Sequence, residues 1–333
     1  MTLKPKRILH CNFLNEKRVG IYYYSNNRRI SNGLIRNGHF VYEFSFREMA
    51  RSEAWLGIKS LGINRMNRKL LKAAENIQPD ILLLGHAELV QGSTIREMRK
   101  RFPNLKIVMW WVDMWHMFYR DEKVFEERME LLDCLFTTSD PEFVREKYFP
   151  AKNAGKVCFM PNSSDPSIDI GRAFEHADYR HDVIFVGRDT SDRGDVVSYL
   201  KSNMQDLNLG LYGQSRANLI MAHKYIELLA TTRIGLNYSR YIDMPLYSSN
   251  RMIQLAANGC LVLTPNTPKM EDLFSQNEVV FFDGLEDMEE KTRFFIDNAS
   301  EARKIAKAGY LAAHDRFNNK DVTAEMIAKI YAD

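Results

Sequence analysis

Nowhere in the chain does an apolar run approach the roughly 18 residues that a helix needs to cross a bilayer. The opening residues Met1-Thr2-Leu3-Lys4-Pro5-Lys6-Arg7 are basic but lack the apolar core and small-residue cleavage site of a signal peptide. The expectation is a cytoplasmic protein, with peripheral contact at the inner membrane face left open. Cysteine is scarce: Cys11, Cys134, Cys158 and Cys260 stand far apart, each in an apolar, strand-like context. No CxxC or Cys/His spacing suits zinc, so no metal site is expected and the thiols read as buried and reduced. There is no low-complexity segment, and no motif that reads RNA or DNA, so nucleic acid is not an expected partner.

What the chain does contain is ordinary globular material. Of its 333 residues, 45% are hydrophobic and 27% charged, a composition that excludes disorder. Its length favours two domains over one core. The net charge of +3 hides an asymmetry, because residues 1–80 carry 15 Lys/Arg against 6 Asp/Glu, leaving 31 against 37 in the remainder. A basic N-terminal portion suits an anionic acceptor or an anionic membrane surface; scattered solvated charges explain it equally well.

Short apolar runs bounded by turns fall at residues 7–13, 39–44, 80–84, 106–112, 134–137 and 157–160. Helix-like stretches lie between them at 65–77, 93–101, 122–132 and 141–148. Such alternation predicts a parallel sheet with helices on both faces. The turn-rich stretch Pro161-Asn162-Ser163-Ser164-Asp165-Pro166 then interrupts the pattern. We therefore expect an N-terminal Rossmann-like domain over 1–160, a linker over 161–178 and a second Rossmann-like domain over 179–333, its last helix with the option of packing back on the first. In the second half, strands are expected at 181–186, 207–212, 234–238, 260–263 and 278–282, with helices at 195–204, 225–231 and 249–257. The fold class is α/β, with two Rossmann-like domains facing a central cleft. Ligands of open α/β sheets bind outside the carboxyl ends of the strands, so functional residues should stand there.

Two segments of the second half meet that rule. The first, Val186-Gly187-Arg188-Asp189-Thr190-Ser191-Asp192-Arg193-Gly194, follows a strand and leads into a helix. Gly187 permits close backbone approach, and the helix N-terminus offers free N–H groups. Arg188 and Arg193 are suited to neutralising a diphosphate. The second is a polar first helical turn carrying Asn250, Arg251 and Gln254, closed by Gly259 and followed at once by an apolar strand. Tyr212 and Asn237, at the ends of two further strands, join the donor-side candidates.

The stretch Ile234-Gly235-Leu236-Asn237-Tyr238, continued through Asn250-Arg251-Met252-Ile253-Gln254-Leu255-Ala256-Ala257-Asn258-Gly259-Cys260-Leu261-Val262-Leu263-Thr264, resembles the C-terminal signature of the group 1 glycosyl transferases. It is most similar to their CgeB-like branch. Phe274, residues 278–282 and 302–309 extend the likeness. In the N-terminal half it is carried by Gln78-Pro79-Asp80-Ile81-Leu82-Leu83 and Met109-Trp110-Trp111-Val112-Asp113-Met114-Trp115. The resemblance implies the GT-B fold, a nucleotide-sugar substrate bound by the C-terminal domain, a glycan or glycolipid acceptor mainly on the N-terminal domain, and a role in cell-envelope polysaccharide synthesis. It also implies metal independence and no cofactor, in keeping with the lack of any Asp-x-Asp triplet. The sequence departs from the family at Gln254, where relatives usually place a Glu that contacts the donor ribose; Gln still forms hydrogen bonds but carries no charge. The paired glutamates, eight apart, of many retaining relatives are also missing.

On the acceptor side, Asp113 ends the apolar run 106–112 beside Trp110, Trp111 and Trp115. Partial burial there would raise its pKa and suit it to act as general base. A helix-capping Asp beside core tryptophans is the competing explanation. His86 and Glu88, after the strand at 80–84, are the other catalytic candidates. His10, Asn12 and Trp115 are acceptor-binding candidates. Two other activities remain open at this point: a nucleotide-sugar 2-epimerase, and a non-catalytic glycan- or nucleotide-binding module.

Overall fold

The computed structural model describes residues 4–115, 125, 127–149, 156–187, 194–239 and 242–332. The chain divides into two compact units, the first made of Met1–Pro161 with Asn319–Asp333 and the second of Asn162–Asn318.

The first unit is built on a six-stranded, all-parallel sheet of β1 (Arg7–Asn12), β2 (Phe40–Ser45), β3 (Ile81–Gly85), β4 (Lys106–Trp111), β5 (Cys134–Thr137) and β6 (Lys156–Phe159). The spatial order is β2-β1-β3-β4-β5-β6. β3, β4 and β5 are buried along almost their whole length, as strands covered on both faces must be. The covering helices are α1 (Asn26–Arg36), α2 (Phe46–Ser52), α3 (Lys59–Ile77), α4 (Gly92–Arg101) and α5 (Pro141–Tyr148). Neither α1 nor α2 is among the expected helices. The polar run of α1 is held helical by tertiary packing, since Ile30 and Leu34 sink into the core. The helix expected over 122–132 falls partly outside the described residues; within them, Phe125 is helical and Met129–Leu131 form a 3₁₀ turn.

The second unit carries five parallel strands, β7 (His181–Val186), β8 (Leu209–Tyr212), β9 (Thr232–Leu236), β10 (Leu261–Pro265) and β11 (Val280–Phe282), in the order β11-β10-β9-β7-β8. Its helices are α6 (Gly194–Asn203), α7 (His223–Ala230), α8 (Asn250–Ala257), α9 (Leu285–Asp297) and α10 (Ala299–Asp315). In both units the order reverses beside the first strand, between β1 and β3 and between β7 and β9. Such a reversal opens a crevice at the carboxyl ends of the strands.

The expected linker moves, and the last helix takes the place left open for it. Residues 162–178 are not a free linker but part of the second unit. Ser164 Oγ donates to Ala313 O at 2.7 Å, the Gly171 amide donates to Asn258 Oδ1 at 3.1 Å, and Asn258 Nδ2 donates to Asp169 Oδ1 at 3.1 Å. Turn-forming residues signalled a change of direction, and their short polar side chains serve equally well to satisfy buried backbone. The last helix, α11 (Asn319–Tyr331), belongs to the first unit. Val322, Met326, Ile327 and Ile330 enter the same core cluster as Ile8, Val108 and Phe136. Asn319 Nδ2 donates to Arg29 O at 2.9 Å, and Arg36 Nη1 donates to Asn319 Oδ1 at 2.7 Å. No helix among the described residues is long and apolar enough to cross a membrane.

The α1–α11 contact depends on a glycine. A Cβ on Gly33 would lie 2.2 Å from Asn319 O, a backbone atom with little room to move. Alanine returns about 1 kcal/mol of helix propensity, but the helices must part to admit it. Gly33→Ala should therefore lower stability by a net ~1–2 kcal/mol, read as a lower urea midpoint with an unchanged slope. A variant at least as stable as wild type would show that this contact is not tight.

Candidate active site

In the first unit the chain leaves β3 at Gly85, directly against an indole. A Cβ there would sit 2.4 Å from the Trp110 ring, so only glycine fits. His86 and Ala87 then both adopt left-handed backbone angles, with φ of 57° and 47°, which L-residues seldom take. Arg128 holds this turn. Its Nη1 donates to His86 O at 3.1 Å, and its Nη2 donates to Ala87 O at 2.7 Å and to Val90 O. The guanidinium is fully buried, its charge facing three carbonyl dipoles.

The turn sets the His86 ring. The imidazole stacks on Trp111 at 4.1 Å between centroids and meets the Trp110 edge at 5.3 Å. Its Nδ1 lies 3.8 Å from Asp113 Oδ2. Burial lowers the His86 pKa, and Arg47 adds to this, against the opposing pull of Asp113 and Glu88. The ring is thus neutral at pH 7, able to accept a proton, with a carboxylate placed to stabilise the imidazolium. Asp113 itself is not partly buried as expected: its side chain is 68% exposed, because it stands past the end of β4 where the sheet's cover ends.

Around this pair lie polar atoms that the protein leaves unsatisfied. Both amide atoms of Asn12, at the end of β1, are buried without a partner, as are Glu88 Oε2 and Trp111 Nε1. Glu88 Oε1 accepts from Arg47 Nε at 2.7 Å. A buried orphan costs about 1–3 kcal/mol, and native structures keep few. Here they gather at the carboxyl ends of the adjacent strands β1, β3 and β4, where a ligand is expected.

Two acceptor-side candidates are corrected. His10 is completely buried, and both ring nitrogens are engaged. Nε2 accepts from Trp110 Nε1 at 3.1 Å, leaving Nδ1–H to donate to Ser31 Oγ at 2.9 Å. Ser31 Oγ in turn donates to Glu43 Oε1 at 2.7 Å, and Glu43 Oε2 accepts from Arg28 at 2.7 Å. His10 is a core link, pointing inward from the middle of β1. Trp115 is likewise core: its Nε1 donates to Thr137 Oγ1 at 2.8 Å, and its ring packs on Phe125 and Phe149.

In the second unit Gly187 follows β7, and its carbonyl lies 3.2 Å from where a Cβ on Gly213 would stand, so the turns after β7 and β8 nest closely. Arg188 and Arg193 lie outside the described residues. The N-terminus of α8 is set by a chain of side chains. Ser249 Oγ donates to Asn237 Oδ1 at 2.7 Å, and Asn237 Nδ2 donates to Thr264 Oγ1 at 3.0 Å. Asn237 is therefore corrected from a donor contact to a tie between β9, β10 and α8, with both amide ends occupied. Next to it, Asn250 Oδ1 is buried and unpartnered. Arg251 donates from Nη1 to Tyr238 O at 3.0 Å, and its guanidinium lies 5.1 Å above the Phe185 ring.

Gln254 and Tyr212 are also corrected. Gln254 is buried, and its Oε1 accepts from Tyr225 OH at 2.9 Å, because this side of α8 faces α7 rather than the sheet's carboxyl edge. The Tyr212 hydroxyl reaches back to His181 Nε2 at 2.9 Å, and His181 begins β7, at the opposite edge of the sheet. Among the described residues no group of three or more His, Cys, Asp or Glu is placed to hold a metal ion.

Arg128 and Arg47 escaped the sequence reading. Arg128 sits in a polar stretch, and its carbonyl partners lie 38 to 42 residues away, so no local spacing marks it.

Together, two Rossmann-like α/β units, each with its polar site at the carboxyl ends of a parallel sheet, define the GT-B glycosyltransferase fold. Residues 192–328 match a family model described as "Glycosyl transferase-like". Among solved structures, the chain is similar to an alpha-glucosyltransferase in complex with UDP and a 13-mer DNA, with a TM-score of 0.67 at 15% identity, covering 98% of this chain and 100% of that one. It is also similar to sucrose-phosphate synthase from Thermosynechococcus elongatus (TM-score 0.65, 12% identity, 97% and 98% covered). A third similar structure is Anabaena HepE in complex with UDP and glucose (TM-score 0.59, 10% identity, 98% and 99% covered). Comparison with curated proteins returns no match.

Burial of His10 has a measurable consequence. Its pKa falls from the ordinary 6.5 to about 3 through desolvation, reinforced by Arg28. The unfolded chain therefore takes up a proton below pH 6.5 that the folded protein refuses. The stability this group contributes is complete above 6.5 and is lost as pH falls through the window down to about 3. Each such histidine adds up to about 1.4 kcal/mol per pH unit to the slope; His39 and His86 act in the same sense. Urea unfolding across this window should show a shallower slope for His10→Gln than for wild type. Equal slopes would mean that His10 titrates normally in the folded protein.

Proposed function

We propose that the protein transfers a glycosyl group from a nucleoside-diphosphate sugar, held by the second unit, to a hydroxyl of a glycan or glycolipid bound by the first, in the synthesis of cell-envelope polysaccharide. The observation that carries this reading is the family match over residues 192–328, which contains Asn250 and Arg251 at the start of α8. The CgeB-like resemblance of residues 234–264 falls within the same segment. Neighbouring structures bound to UDP or UDP-glucose support a nucleotide-sugar donor. One neighbour acts in a complex with DNA, but no nucleic-acid motif accompanies that likeness here, and the reading keeps a glycan acceptor.

On the donor side, Arg251 supplies positive charge and the Asn250 carbonyl oxygen an open acceptor, with Arg188 and Arg193 assigned to the diphosphate from the sequence. Asn237 and Gln254 position α8. Because the sugar arrives on its own nucleotide leaving group, this reading calls for no further cofactor. On the acceptor side, the neutral His86 imidazole takes the hydroxyl proton as the acceptor oxygen bonds to the anomeric carbon. The bond from that carbon to the diphosphate oxygen breaks, and the nucleoside diphosphate leaves. Asp113 stabilises the imidazolium so formed. Asn12, Glu88 and Trp111 offer the unsatisfied groups that would orient a sugar.

Two measurements test this. Thermal unfolding against UDP, GDP, ADP, CMP and their sugar conjugates should reveal one selective ligand, which at a hundredfold excess over its Kd stabilises by about 2.7 kcal/mol. No shift with any of them would remove the donor site. With the donor known, His86→Ala should lower kcat by about 10²–10⁴ and Asp113→Asn by less, while the thermal shift persists in both variants. Unchanged turnover in His86→Ala would remove its role as base.

A further inference from the structure

One stretch of the first unit breaks the usual rule for large apolar side chains. Between α2 and α3, Trp55 is 80% exposed, Leu56 75%, Ile58 50% and Leu61 60%. Isolated exposed apolar residues are unremarkable, but four within seven positions form a patch of the kind that marks an interaction surface. The backbone presents them outward. Leu56 takes φ 63°, a left-handed conformation that a leucine seldom adopts, and Gly57 follows at φ 69°. The hairpin beneath is fixed by close helix packing, because a Cβ on Gly62 would overlap Ala50 O. The tip is therefore a rigid strap.

The same unit carries a separate exposed apolar side chain. Val19, 90% exposed at φ 50°, crowns the loop that leaves β1, the strand paired with β2, from which α2 runs directly. Its loop is tied to the start of α2: the Lys17 amide donates to Glu48 Oε1 at 2.8 Å, and the Leu14 amide donates to Ser45 Oγ at 3.1 Å. That loop leaves the carboxyl edge of the sheet, the same edge as the candidate acceptor site.

The exposed charge on the helices flanking the strap is mainly cationic. Arg51, Lys59, Arg65 and Arg68 are exposed there. The nearby acids are already engaged: Glu53 pairs with Lys69, Glu48 accepts from Ser45 and from the Lys17 amide, and Glu16 pairs with Arg28. We infer that the strap over residues 55–61 is a docking surface for an anionic lipid bilayer. Trp55, Leu56, Ile58 and Leu61 enter the headgroup boundary, and the surrounding lysines and arginines meet lipid phosphates. The pairing of an indole and aliphatic side chains with a cationic rim suits the bilayer interface, where apolar burial and electrostatic attraction act together. A protein partner that covered the patch would have to match the exposed Arg51, Lys59, Arg65 and Arg68, whereas an anionic membrane does so over its whole surface. The surface is independent of the transfer reaction assigned above.

The test is co-sedimentation of the full chain with vesicles of phosphatidylcholine alone and of phosphatidylcholine with 30 mol% phosphatidylglycerol, where ~30% is a typical anionic fraction for such assays. Binding is expected to the anionic vesicles only, weakened by salt as screening requires. The double variant Trp55→Ser/Leu56→Ser should lose about tenfold or more in binding, and Lys59→Glu/Arg68→Glu should lose a similar amount. Both should keep the wild-type melting temperature and nucleotide response, since these side chains support no core. Absence of wild-type binding to anionic vesicles overturns the proposal, as does unchanged binding by the Trp55/Leu56 variant. Sedimentation velocity is run alongside. A wild-type dimer that the Trp55/Leu56 variant converts to monomer, without vesicle binding, would assign the patch to a second copy of the chain instead. The nucleotide response separates any of these failures from a failure of the transferase reading.

Discussion

Where the chain leaves β3, two consecutive residues that are not glycine take left-handed backbone angles, and a buried arginine makes this tenable. Arg128 gives its N–H groups to three carbonyls of the 86–90 turn, so the strained backbone and the buried cation satisfy one another. Each would be costly alone. The placement of His86 against Trp111, its distance from Asp113 and the course of the chain toward Glu88 all follow from this contact. The functional groups of the first unit are thus displayed from a turn that core packing over-determines, which is how a site keeps its geometry without a ligand.

The second unit reaches a similar end by smaller means. Ser249, Asn237 and Thr264 form a short chain of hydrogen bonds that joins the ends of β9 and β10 to the start of α8. Three polar residues, of which the sequence assigned Asn237 to the donor, are spent on one another. The group left over, Asn250 Oδ1, is one the fold does not satisfy itself. In both units, the distinction between structure and site is a distinction between polar groups that have found a protein partner and those that have not.

The same accounting applies to the apolar side chains of the first unit. Its sheet and the flanking α11 bury a continuous core, while Trp55, Leu56, Ile58 and Leu61 remain in solvent on a strap whose base is tightly packed. The N-terminal excess of basic residues, unremarkable as a total, becomes directional once the fold gathers part of it around that strap.

Sequence alone determined the alternation of strand and helix, the two-unit α/β class and the segments that stand at the carboxyl ends of strands, because periodicity and turn chemistry are local and are written in adjacent residues. It also brought His86, Asp113, Asn250 and Arg251 into view by their place after apolar runs. Only the tertiary structure decided which polar residues are spoken for. His10 and Trp115 were read as acceptor contacts but are sealed in the core by Trp110, Ser31 and Thr137, partners 21 to 100 residues away. Gln254 turns toward Tyr225 on a neighbouring helix, and Arg128 finds its three carbonyls across some 40 residues of chain. Likewise α11 closes the first unit although it lies at the far end of the sequence. Burial and hydrogen-bond satisfaction are properties of non-local contacts, and no local pattern encodes which distant group will arrive to meet a given side chain.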